Sequence, residues 1–221
     1  MTGVHDIGLF VLAGLLLNVT PGPDMAYIAA RSAAGGFREG AAAVLGITAG
    51  CVIHTLAAAV GLSALLATSA FAFEIVKWIG ALYLLYAGIR LLIASAGRST
   101  SAVPAMAAPR SPPANVRSSP PLRIFREALL INVFNPKVAL FFLAFLPQFI
   151  AVDAPDKALA FAALGTLFNV DSLFVNLPVA WLASRAGHRI RAGSRGLRWL
   201  QRAVGGLFVA LAARLAILAR D

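Results

Sequence analysis

Acidic residues are scarce in this sequence. Nine Asp and Glu stand against nineteen Lys and Arg, and the four types together make up only 13% of the chain. Soluble domains carry about twice that share, so a water-exposed globular domain is excluded as the main architecture. Cysteine is nearly absent: Cys51 stands alone, which excludes an internal disulfide and a paired-thiol redox centre. Histidines number three, too few beside so few carboxylates for a tight metal site. No HExxH, GxSxG or Asp/His/Ser grouping occurs, so hydrolytic chemistry has no foothold. The chain reads as a non-enzyme without cofactor or resident metal.

What fills the chain instead is apolar, 60% by count. A bilayer core about 30 Å thick takes roughly 20 apolar residues per helix. Six stretches meet or approach that length, at 7–30, 41–70, 73–95, 124–151, 157–184 and 199–219. They predict an all-α integral membrane protein of six transmembrane helices. The opening MTGVHDI has no positive n-region, so the first run reads as a membrane helix rather than a cleavable signal.

The net charge of +10 is unevenly placed. Arg31 and Arg38 follow helix 1; Arg90, Arg98, Arg110, Arg117, Arg123 and Arg126 surround the 3–4 connection; Arg185, Arg189, Arg191, Arg195, Arg198 and Arg202 fill the 5–6 connection. Alternate connections are nearly bare. This positive-inside pattern puts the three basic loops in the cytoplasm of a bacterial inner membrane and both termini outside. It also argues against a nucleic-acid partner.

Residues 96–121 are rich in Ser, Ala, Pro and Arg and lack any apolar period. They read as a flexible cytoplasmic linker between a first repeat, 1–95, and a second, 122–221. The halves echo each other: LLLNVTPGPDMA at 15–26 aligns with LLINVFNPKVAL at 129–140, and each then breaks at proline. Three helices per half is an odd number, so the second half enters the membrane from the opposite side, as in inverted-repeat transporters.

Those breaks are the chemical centre of the reading. A mid-helix proline removes a backbone donor, and irregular backbone at membrane depth survives only inside protein or beside a wet cavity. Pro23 suits the first position of a restarted helix, with Asp24 in its first turn. Asn135 is a natural cap for a helix beginning at Pro136. Free carbonyls end one half-helix and free amides begin the next, an arrangement that matches a zwitterion. The expected binding set is Asn18, Pro21, Gly22, Pro23 and Asp24 with Asn132, Asn135, Pro136 and Lys137.

The chain resembles the lysine-exporter/homoserine–threonine-resistance (LysE/RhtB-type) amino-acid exporters. The resemblance is carried by Asn18–Asp24, by GFREG at 36–40, by GITAG at 46–50 with His54, by KWIGALYL at 77–84, and by Asn132, Asn135-Pro136-Lys137 and FLPQF at 145–149. It covers nearly all but the linker. It implies an inner-membrane exporter of amino acids, driven by proton antiport, and does not fix the substrate; the expected cargo is a neutral or basic amino acid. The chain departs from the family pattern at Cys51, where many relatives carry a helix 2 carboxylate.

Ionisable groups at membrane depth are candidate functional groups because burial is costly. Asp171, with Asn169, Ser172 and Asn176 nearby, is the leading proton-coupling residue, joined by Asp24 and His54. Lys137 is expected to pair with Asp24 or Asp171, to bind a substrate carboxylate, or to snorkel. Gly46 and Gly50 form a GxxxG that suits a contact within the bundle, or failing that a homodimer face. The alternatives are a divalent-cation exporter, with Asp24, Asp171 and His54 as its ligands, and a non-transporting membrane assembly subunit.

Overall fold

The computed structural model describes residues 3–64, 120–151 and 153–186, with scattered positions in 71–93 and 202–213. The expected linker, and most of expected helices 3 and 6, lie outside the described residues. Within them the chain is helical, with a lone β-bridge between Val4 and Ile150.

Helix α1 (Ile7–Val19) is wholly apolar until Asn18. Its 13 residues reach about 20 Å, short of a bilayer core. It stops because Pro21 has no amide proton to continue the ladder. The last amide, of Thr20, is shared between the carbonyls of Leu16 and Leu17. Gly22, fully extended, is the N-cap of α2 (Pro23–Ala57), and Pro23 and Asp24 open its first turn.

Helix α2 is a hairpin, not a rod. At Gly36 the backbone takes φ 76° and ψ −175°, a conformation open only to glycine. Asp24 and Cys51 consequently line one cavity, although on a straight helix they would stand about 40 Å apart. The ten-residue loop expected at 31–40 is thus a single-residue reversal. The second arm runs on through a π turn at Ala58–Leu62.

Helix α3 (Pro121–Val133) and helix α4 (Pro136–Leu140) meet at the second break, with α4 extended by a π turn, Phe141–Phe145, and a 3₁₀ turn, Leu146–Phe149. The axis bends by 48° there. Helix α5 (Lys157–Ala186) carries Pro178 internally. Pro23–Leu62, folded at Gly36, holds a stretch apolar and long enough to cross a membrane, as does Lys157–Arg185, and the bent α3–α4 pair passes the same test if its two pieces are taken as one span.

Two cores hold the described helices. At the end where His5 donates to the Phe149 carbonyl, Phe10, Phe141, Phe142, Phe145, Phe149 and Phe168 are buried together. At the end of the Gly36 reversal the core is smaller in side-chain size, with Ile28, Ala42, Ala43, Ala128 and Ala180. Gly46 and Gly50 face α3: a Cβ on Gly50 would stand 2.6 Å from Asn132 Oδ1. The GxxxG therefore serves a contact within the chain. Trp78 and Trp181 are about half exposed, at 43% and 48%, as membrane-interface anchors would be.

Candidate functional site

The two breaks brace each other. After the first break, Asp24 reaches the end of α3, where its Oδ2 accepts a hydrogen bond from Asn132 Nδ2 at 2.9 Å. After the second, Lys137 reaches the end of α1, where Nζ donates to the carbonyls of Leu17 and Thr20, each at 3.1 Å. An ammonium on the last carbonyls of a helix meets the negative end of its dipole. Local capping completes the geometry: the Lys137 amide donates to Asn135 Oδ1 at 3.0 Å, and the Thr20 hydroxyl donates to the Leu16 carbonyl at 2.7 Å.

Between the breaks lies a narrow, largely enclosed cavity of about 10 Å³, room for one water. Its polar lining is Asn18, Asp24, Lys137, Ser172 and Asn176; its apolar lining includes Met25, Ile47, Cys51 and Val138. Hydrogen-bonding capacity is left over here. Asp24 Oδ1 and Asn18 Nδ2 are buried without partners. The Lys137 ammonium has three protons, two of them committed to carbonyls.

Of the expected site residues, the fold thus gathers Asn18, Asp24 and Lys137 around one cavity. Asn132 and Asn135 support them from behind. Pro21, Gly22, Pro23 and Pro136 act through the backbone, shaping the breaks. Lys137 makes its hydrogen bonds to the uncapped end of α1, and the Asp24 carboxylate lies close enough to interact with its charge.

Asp171 and His54 stand apart from the cavity lining. Asp171 is buried in α5, its Oδ2 without a hydrogen-bond partner, close to Gly14 of α1. His54 Nε2 lies 3.3 Å from the Asn132 carbonyl, and its ring stacks on Phe142 at 5.7 Å. Asn169 turns to Thr55, donating to its hydroxyl at 3.2 Å, while Asn176 Nδ2 donates to Ser172 Oγ at 2.9 Å.

A second polar group was not anticipated. Arg31 donates to Glu127 Oε2 at 2.8 Å and to the Tyr27 hydroxyl at 3.1 Å. Tyr27 donates to the same Glu127 oxygen at 2.7 Å, and Arg123 binds the other at 2.8 Å. Glu39, 5% exposed, approaches Arg31 only to 3.9 Å, and neither of its oxygens has a hydrogen bond. This network ties the hairpin to α3 at the Gly36 end. Its one sequence signal was the Arg123–Glu127 spacing of a helical turn.

The chain matches the family described as LysE type translocator over residues 15–219. It is 32% identical over 207 residues to a homoserine/homoserine lactone efflux protein of Salmonella typhi, covering 94% of each chain. It is 30% identical over 220 residues to a leucine efflux protein of Salmonella choleraesuis (strain SC-B67), covering 98% of this chain and 97% of that one. No solved structure matches the chain. Matched along nearly its whole length, the chain belongs to the LysE type translocators, membrane transporters rather than enzymes.

Proposed function

We propose that this protein exports neutral amino acids from the cytoplasm across the bacterial inner membrane by proton antiport. The supporting observation is the match between the unused hydrogen-bonding groups around the cavity and a zwitterion, which the one-water cavity would have to widen to admit. Asp24 Oδ1 is an unpartnered acceptor, suited to an α-ammonium. Asn18 Nδ2 and the third proton of Lys137 are donors, suited to an α-carboxylate. The cavity wall carries one anionic and one cationic side chain, Asp24 and Lys137. A basic amino acid would bring a further positive charge with no partner there, a large cost away from water. Similarity alone does not choose a cargo, since the homoserine and leucine exporters are matched almost equally.

In this reading the chain forms six helices in two inverted repeats, with the basic loops cytoplasmic and the termini outside. Asp171 carries the coupling proton, and Asp24 holds either a proton or the substrate ammonium. We assign His54 to steadying the Asn132 carbonyl. The divalent-cation alternative is disfavoured: among the described residues no three His, Cys, Asp or Glu converge.

The test is export from intact cells fed a dipeptide mixture, with free amino acids outside measured by mass spectrometry. Accumulation of neutral amino acids only with the intact protein is expected. Asp171→Asn should abolish the response of export to a pH gradient while leaving amino-acid exchange between the two sides. Wild-type coupling in that variant would remove Asp171 from the mechanism. Silence from an inserted, folded protein would overturn the exporter reading.

A further inference from the structure

Lys137 stands where local electrostatics do not favour a lysine. It lies in the first turn of α4, the positive end of that helix, where a cation is unfavourable. Its ammonium reaches across to the other break instead, 3.1 Å from the carbonyls of Leu17 and Thr20. The sequence explains why those carbonyls need a partner. In an unbroken helix the Leu17 carbonyl would accept from the amide four residues on. That residue is Pro21, which has no proton to give. Thr20 is extended, so its carbonyl has also left the helical ladder. Asp24 lines the same cavity and is close enough to act on the charge. Gly22 makes room: a Cβ there would stand 3.3 Å from Nζ and crowd the ammonium. Free carbonyls at the end of a half-helix are the groups that broken-helix carriers offer to a monovalent cation.

We infer that the break in α1 is a monovalent-cation site whose resident ion is the chain's own Lys137 ammonium. The second break supplies the ion that the first break binds, on a tether. A free sodium ion has no vacancy to fill at this place, so the carrier's cycle needs none there. The charge is carried by the protein and cannot be lost or transported. The assignment concerns the carbonyl end of α1 and holds whatever the cargo is.

Chemical rescue tests this directly. Lys137→Ala removes the side chain beyond Cβ, and the lost atoms have the size of n-propylammonium. That ion should raise the thermal midpoint of the purified variant by several degrees with no amino acid present. Neutral n-propanol should not, and wild-type protein should answer neither. Lys137→Met fills the space with an apolar chain, so its midpoint should be lowered and unmoved by propylammonium. Export by Lys137→Ala should recover about tenfold with propylammonium, the scale of one charge-assisted hydrogen bond. Wild-type export should be the same in sodium and in N-methylglucamine. A folded Lys137→Ala that ignores propylammonium, or responds equally to propanol, overturns the inference. So does a Lys137→Ala that stays unfolded when purified in propylammonium throughout, and so does sodium-dependent wild-type export. Wild-type protein that is folded but exports nothing overturns the exporter reading alone, because the midpoint reads the cation site without a cargo.

Discussion

The Asp24 carboxylate and the Asn132 amide, 108 positions apart in the chain, meet in a buried hydrogen bond of 2.9 Å. That bond joins the start of one restarted helix to the end of the helix before the other break. A hydrogen bond to a buried charge contributes about 1.5–3 kcal/mol. Replacing Asn132 by Leu should therefore lower the thermal midpoint of the purified protein by several degrees, and should reduce export more than stability, because Asp24 loses its orientation. Export and midpoint measured on the same preparations check this; full activity would make the bond dispensable.

Gly50 offers a steric route to the same contact. A Cβ there would lie 2.6 Å from Asn132 Oδ1 and 2.7 Å from its Cβ, whereas one on Gly61 would meet nothing within 4 Å. Gly50→Ala should cut export at least tenfold by pushing α3 away, and Gly61→Ala should leave it unchanged. The paired efflux rates decide the point.

The Arg31 network should behave as a structural tie. Arg31→Met leaves Glu39 buried without its one ion-pair partner among the described residues and removes a partner of Glu127. Glu127 is one-third exposed, at 34% of its side chain, so the expected loss is about 1–3 kcal/mol rather than the larger cost of breaking a fully buried pair. A double-mutant cycle with Glu127→Gln, read from thermal midpoints, should give a coupling above about 0.5 kcal/mol.

Cys51 is the chain's single cysteine and lines the cavity, so no engineering is needed to label the site. A small charged methanethiosulfonate should modify it slowly and block transport, and a transported amino acid should slow the modification. Mass spectrometry of the intact protein reads both rates. Labelling indifferent to amino acid would place the cargo elsewhere.

Some of this was legible in the sequence for plain physical reasons. Proline announces a lost donor wherever it stands, so both breaks, and the restarts at Pro23 and Pro136, could be read directly. The charge following each break could also be read. Its partner could not: Lys137 finds the Leu17 and Thr20 carbonyls across some 120 positions, a distance only packing sets. The turn at Gly36 was invisible as a single residue because neighbouring Arg31 and Arg38 suggested a longer polar loop. On α5, charge drew attention to Asp171. A helix turns about 100° per residue, so Ser172 faces the cavity while Asp171 beside it faces Gly14.

The unequal cores at the two ends of the cavity make those ends respond to different variables. Parting the end built from Phe10, Phe141, Phe142, Phe145, Phe149 and Phe168 wets large rings, a process governed by temperature and nearly blind to ionic strength. Parting the end built from Ile28, Ile47, Ile124 and four alanines wets smaller side chains and also separates Arg31 from Glu127, a process that salt assists by screening. A carrier with such ends has an ionic latch on one side and an oily one on the other. Salt should hasten the first opening and warmth the second, so the slow half of the cycle can be identified by which of them speeds turnover.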